Sequence, residues 1–189
     1  MSHSNLLSPT FFTFLLEIDR DLAAQVRLLG CIACGGPLHQ GHYQRKPRGY
    51  GSSGARGPLD TTRFSFCCGK CRGRKTPVSV RFLGRRVYWG VIVVLATALC
   101  AGLSLRRGQQ LSEQIGVPVR TIERWRQWWL NDFTASAVWQ ALRGQFLPAV
   151  AHSDLPGELL RRALPTDEGG AMVTVLRWLA PLSTLAKGR

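Results

Sequence analysis

The chain has 189 residues, 45% of them apolar, which is enough for one medium domain or two small ones and excludes a globally disordered polymer. Its net charge is +14 and its isoelectric point is near 10.8, the electrostatic footprint of a nucleic-acid binder or of a protein at an anionic membrane surface. The excess is localised: residues 31–86 carry twelve basic side chains against one acid, Asp60.

The first predicted element is a helix. Ser8-Pro9 supplies an N-cap and a proline at the first helical position. Phe12, Leu15, Leu16, Leu22, Val26 and Leu29 then recur near helical spacing, and Gly30 ends the pattern. This predicts an amphipathic helix over 9–29 that packs on a core. The apolar run 10–16 is preceded by no Lys or Arg and is soon broken by Glu17, Asp19 and Arg20, so no export signal is expected.

Two cysteine pairs come next, Cys31-Ile-Ala-Cys34 and Cys68-Gly-Lys-Cys71. A two-residue gap lets both thiolates of one tight turn face the same ion. Two such turns make a tetrahedral four-thiolate site, which suits Zn2+. Nearby Lys and Arg favour the thiolate form. Cys67 adjoins Cys68, and neighbours on a strand point to opposite faces, so one of the two joins the set. Cys68 restores the two-residue spacing; Cys67, three residues from Cys71, is the alternative. Disulfides are the competing use of these cysteines, disfavoured in a reducing compartment. Either His39 or His42 could substitute as a ligand, but four cysteines suffice, so both are read as facing the surface or nucleic acid.

Between and after the pairs, 38–46, 61–66 and 76–82 read as short strands, and PRGYGSSGARGP (47–58) as a flexible loop. The unit is a zinc ribbon, in which metal replaces the core that so small a unit lacks. Arg45, Lys46, Arg48, Lys70, Arg72, Arg74 and Lys75 are expected to form one phosphate-contacting region around it.

Residues 87–105 contain no charge, which reaches the length of a membrane span. Arg85-Arg86 and Arg106-Arg107 flank the run symmetrically, and Gly90, Thr97, Gly102 and Ser104 dilute it. A buried helix is the preferred reading, because residues 108–131 call for an apolar helix just before them. In GQQLSEQIGVPVRTIERWRQWWLN (108–131), residues 111–115 read as a short helix, 116–118 as a turn and 119–131 as a second helix. On the second helix Ile122, Trp125 and Trp129 share the inward face. Val119, Arg120, Thr121, Arg124 and Gln127 are the candidates for contact with double-stranded DNA, an arrangement suited to a groove-reading helix.

LSEQIGVPVRTIERWRQWW resembles the homeodomain-like helix-turn-helix of bacterial transposases and related regulators, through Gly116, Val117, Thr121, Ile122, Arg124 and Trp125. A cysteine-knuckle ribbon upstream is similar to the N-terminal regions of insertion-sequence transposases. Two departures stand out. Pro118 occupies the place of a Ser or Thr cap, and the 58 residues after Asn131 are too few for the family's nuclease domain with its three metal-binding carboxylates.

The expected fold is α+β, in four segments: an N-terminal helix (1–30), a zinc ribbon (31–86), a helix-turn-helix (87–133) and a helical C-terminal segment (134–189). The C-terminal helices are expected near 138–146, 159–164 and 171–182, as a cap or homo-oligomer surface. The expected function is sequence-specific DNA binding without catalysis, in the cytoplasm and associated with the nucleoid. The resemblance implies an accessory role beside a separately encoded transposase or recombinase. The competing functions are a zinc-ribbon adaptor that docks a recombinase or polymerase, and a single-span membrane protein with a basic cytosolic head.

Overall fold

The computed structural model describes residues 6–48, 61–84, 86–100, 105–163 and 168–184. Most of the expected loop, 49–58, lies outside them, as do Arg85 and 101–104. The described chain combines helices with two small antiparallel sheets.

Helix α1 spans Pro9–Leu29. The Ser8 side chain accepts from the Phe11 N–H at 3.2 Å, a cap of the kind that contributes about 1 kcal/mol. Gly30, at φ 72°, ends the helix. Phe12, Leu15, Leu16, Ile18 and Ala23 are buried, whereas Leu29 is exposed, so the apolar pattern outruns the buried face.

Strands β1 (Leu38–Gln40), β4 (Phe66–Cys68) and β5 (Arg74–Lys75) form one sheet in the order β1-β4-β5. Strands β2 (Tyr43–Gln44) and β3 (Thr62–Arg63) form a second. The two longer expected strands are thus each divided. His42 sits at the first break, where its Nδ1 meets the Ser65 backbone and its ring packs edge-on against Phe64 and Phe66. His42 is therefore half-buried rather than on the surface.

The expected third strand, 76–82, joins neither sheet among the described residues and makes only an isolated antiparallel bridge, Phe82 to Trp89; β5 precedes it. Ser79, Val80, Arg81 and Phe82 are all buried, so the alternation does not sort faces. The segment's polar groups are claimed from elsewhere. The Asp19 carboxylate of α1 accepts from the Val80 N–H (2.8 Å), the Ser79 hydroxyl (2.5 Å) and Arg81 Nε (2.8 Å). Ser183 near the C-terminal end accepts from the Ser79 N–H at 2.8 Å. These bonds replace a sheet ladder and satisfy the buried backbone.

Helix α2 (Gly90–Cys100) is apolar all round, the signature of a helix surrounded by protein. It packs against α3 (Leu105–Ile115), α4 (Val119–Trp128), α6 (Gly157–Arg162) and α7 (Glu168–Leu179). Among the described residues, no helix is long and apolar enough to cross a membrane. Helix α3 begins at Leu105, well before the short helix expected from residue 111. Helix α4 passes at Trp129 into a π-helical turn, Trp129–Phe133, which delivers both end residues to the core. There Trp129 Nε1 donates to Thr97 of α2 at 3.0 Å. Helix α5 (Ala137–Arg143) adds Trp139 and Leu142.

Two apolar clusters result. The larger joins the start of α1, residues 80–83, α2, α4 and the C-terminal helices. The smaller joins Leu16 and Ala23 of α1 to Cys31, Leu38, Phe64, Phe66 and Cys68. Helix α1 serves both.

Candidate metal centre and candidate nucleic-acid interface

The smaller cluster presents four thiols at one end. Cys31, Cys34, Cys68 and Cys71 place their Sγ atoms within 4.8 Å of one another, and none is in a disulfide. Cys31 and Cys71 lie 3.6 Å apart, Cys34 and Cys68 3.4 Å. Thiolates around a tetrahedral ion at Zn–S distances of about 2.3 Å stand about 3.8 Å apart, so the group is of metal-binding size.

The local backbone explains the convergence. The Gly35 N–H donates to the Cys31 carbonyl at 2.7 Å, closing the first turn. Gly35 adopts φ 67°, which an L side chain rarely accepts. Gly36 has no room for a side chain: a Cβ there would lie 2.9 Å from Cys68 Sγ and 2.8 Å from Lys70 Cβ. In the second turn, the Lys70 and Cys71 N–H groups both point at Cys68 Sγ, each at 3.4 Å.

These amides set the order in which the thiols ionise. The Cys71 N–H, and then the Lys70 N–H, lower Cys68 to about 6, which makes it the readiest thiolate. Cys31 is also lowered, chiefly by the Ala33 N–H. At Cys34 the Gly36 N–H pulls downward, but bonding to the Cys68 sulfur and burial prevail and raise it to about 11. Four thiols this close do not all ionise unaided; a cation in their midst lets them do so.

Cys67 stands outside the set. Its Sγ points toward the Arg72 carbonyl at 3.4 Å, on the other face of β4. The two-residue spacing therefore identified the right partner for Cys71. His39 is exposed beside Gly69, and neither it nor His42 belongs to the thiol group.

The basic residues around the thiols divide into two kinds. Lys46, Arg48, Lys70, Arg72 and Arg74 are exposed, and Lys75 is half-buried. Arg74 also stacks over the Tyr43 ring at 5.8 Å. Arg45, expected among the phosphate contacts, is instead committed inward. It donates to the carbonyls of Gly84 and Arg86, both at 2.8 Å, and lies over the Phe82 ring at 5.0 Å. Burial lowers its pKa, the sign of a guanidinium taken from water. Arg63 and Arg81 are fully buried and serve the fold.

Helix α4 offers a second basic surface. Gly116, at φ 64°, makes the turn that separates it from α3, and the Ser112 hydroxyl donates to the Val117 carbonyl at 2.6 Å across that turn. Ile122, Trp125 and Trp129 are buried, as their spacing predicts. Arg120, Arg124 and Gln127 are exposed, and Val119 is half-buried. Thr121, expected to face outward, is buried and holds Arg124 by accepting from its Nη2 at 3.1 Å. The Pro118 carbonyl opens α4 by accepting from the Thr121 N–H, in place of a side-chain cap.

A shallow depression of about 700 Å³ runs along this face, lined also by Glu123, Trp128, Asn131 and Asp132. These four are absent from the candidates that the sequence supplied. Glu123 lies one helical turn from Arg120, and Asn131 one turn from Gln127, so helical spacing alone would have found both. Trp128 is covered by Arg86, whose guanidinium sits 3.9 Å above the indole. Burial lowers Arg86 to about 10. Because the Arg86 carbonyl also accepts from Arg45, one residue links the strand-rich unit to the edge of the α4 face. Comparison with known proteins returned no matching family model, no curated relative and no similar solved structure.

Proposed function

We propose that the chain is a zinc-stabilised, sequence-specific DNA-binding protein that acts without catalysis of its own. In this reading the cysteine unit (31–86) is a zinc ribbon and residues 87–133 form a helix-turn-helix. The observation that carries it is the division of α4: Ile122, Trp125 and Trp129 are buried behind, while Arg120, Arg124, Gln127 and Asn131 stand on one exposed face. A helix anchored by its apolar back and bearing Arg, Gln and Asn outward has the donors needed for guanine and adenine edges.

The assigned roles track exposure. Arg124, oriented by Thr121, is the principal base-reading candidate, with Arg120 and Gln127 beside it. Lys46, Arg48, Lys70, Arg72 and Arg74 on the ribbon are phosphate contacts that position the protein. Thr121 and Arg45 act indirectly, since both are occupied internally. The order of the motifs resembles insertion-sequence transposases, which favours an accessory or regulatory part beside a separately encoded recombinase.

The test is selection of duplex sites from a random pool by the full chain, followed by salt titration. Arg124→Ala should relax preference at one or two base pairs, an effect of about 1–3 kcal/mol at each. Lys70→Ala or Arg72→Ala should weaken binding to all duplexes alike and reduce the salt slope by about one per charge. A pool that yields no enriched site, with no duplex retained at moderate salt, would defeat the reading.

A further inference from the structure

A groove of about 610 Å³ lies along the C-terminal half of α1, between that helix and the strand-rich unit. Ala23, Phe64 and Phe66 give it an apolar floor that belongs to the smaller cluster. Ala23 and Ala24 keep it open, because neither carries bulk on the helix side. Arg20 and Arg27, two turns apart on α1, stand among its lining residues, which include no carboxylate. Arg20 pairs with Glu17 on the preceding turn, with both side chains substantially exposed. Arg27 has no ion-pair partner among the described residues.

Leu28, which also lines the groove, is 88% exposed, and Leu29 and Ile32 are 79% and 85% exposed. Three bulky aliphatic side chains within five residues thus face water where α1 meets the first cysteine turn. Three exposed aliphatic side chains at one junction of the chain are a stronger sign of an interaction surface than singly scattered ones.

We propose that the groove and this patch bind an acidic amphipathic segment of a partner protein. One or two bulky apolar side chains would enter the floor, and flanking carboxylates would meet Arg20 and Arg27. The aliphatic trio would cover the segment's remaining apolar side. This is the helix-in-groove or extended-anchor mode of recognition, with the charge rim setting partner choice.

The chemistry favours protein over nucleic acid here. Leu28, Leu29 and Ile32 gain nothing from a phosphate backbone. A second copy of the chain is disfavoured by charge, since it would bring a net +14 to a cationic rim. The inference is independent of the α4 reading and concerns a different surface.

The test is a random-peptide display selection on the full, zinc-loaded chain, with the best peptide then measured by fluorescence anisotropy. Enriched sequences should combine an aromatic or branched aliphatic residue with neighbouring acids. Ala24→Trp, which fills the groove from an exposed position, and Arg27→Glu should each weaken that peptide by about tenfold or more, the scale of an interface hot spot. Arg143→Glu, the same charge change at an exposed site on α5, should not. No enrichment, enrichment indifferent to acids or to both groove variants, or equal loss with Arg143→Glu would overturn the proposal. So would displacement of the peptide by a single-stranded oligonucleotide at equal concentration.

Discussion

The Asp19 carboxylate and the Arg81 guanidinium meet at 2.8 Å with neither side chain more than 1% exposed. Far apart in sequence, they tie α1 to the segment that leaves the cysteine unit. Asp19 also accepts from Ser79 and Val80, so its lone pairs are well used. Removing one partner leaves the other as an unpaired buried charge, which costs about 3–5 kcal/mol. Asp19→Ala should therefore lower the urea midpoint sharply. Asp19→Leu combined with Arg81→Met should recover much of that loss, as replacement of a buried pair by apolar side chains often does. A double variant no more stable than Asp19→Ala would show that the bonds to Ser79 and Val80 dominate.

The sulfur set makes a prediction about neighbours. Cys68→Ser should abolish stoichiometric zinc in native mass spectrometry, whereas Cys67→Ser should retain one zinc per chain. Gly36→Ala should behave like a ligand variant although it removes no ligand, because its methyl would meet the Cys68 sulfur. Zinc retention by Cys68→Ser with loss in Cys67→Ser would reverse the assignment.

Two cations in the same sequence block should behave differently. Arg45→Ala should reduce stability by about 1–3 kcal/mol, because it leaves two part-buried carbonyls without this donor. It should leave the salt slope of DNA binding intact. Lys70→Ala should do the opposite. If both variants change only the salt slope, the inward role of Arg45 is wrong.

Acid sensitivity has a local component in the C-terminal helices. Glu158 is held below its ordinary value of 4.5 by Arg162 and then Arg161. Arg162 in turn donates to the Pro148 carbonyl at 2.6 Å. A carboxyl depressed in the folded state adds stability that is complete above its ordinary range and disappears as pH falls through the lowered value. Glu158→Gln should cost about 0.5–1 kcal/mol at neutral pH and progressively less as acid protonates the native carboxyl. Denaturant melts at neutral and acid pH measure this, and a cost independent of pH would point to packing instead.

Local signals in the sequence were read correctly where the cause was local. Ser8-Pro9 and Gly30 bounded α1 because caps are made by adjacent residues. The cysteine spacing identified the thiol set because each turn builds its own geometry. What the pattern missed depended on distant partners. TPVSVRF alternates like a strand, yet Asp19 and Ser183 claim its donors, and neither is near it in sequence. Thr121 sits beside outward-facing residues but is covered by the surrounding fold. Arg45 reads as one more cation in a basic run, and only the distant carbonyls of Gly84 and Arg86 give it acceptors. The α4 depression has a simpler explanation: Glu123 carries no donor for a base edge, and Asn131, although at helical spacing from Gln127, stands at the far end of the expected helix.

Helix α1 contributes to both apolar clusters, and Arg86 is bound by Arg45 on one side while it covers Trp128 on the other. The strand-rich unit and α4 thus turn together, like two prongs on one handle. Two prongs of fixed separation engage a twisted rod only in one phase. Inserting a single base pair between their contact zones would rotate one zone against the other by about 34°, given roughly 10–10.5 base pairs per turn. A tethered pair of independent modules would absorb that change; on the proposed DNA-binding reading, this chain should lose one set of contacts whenever it keeps the other.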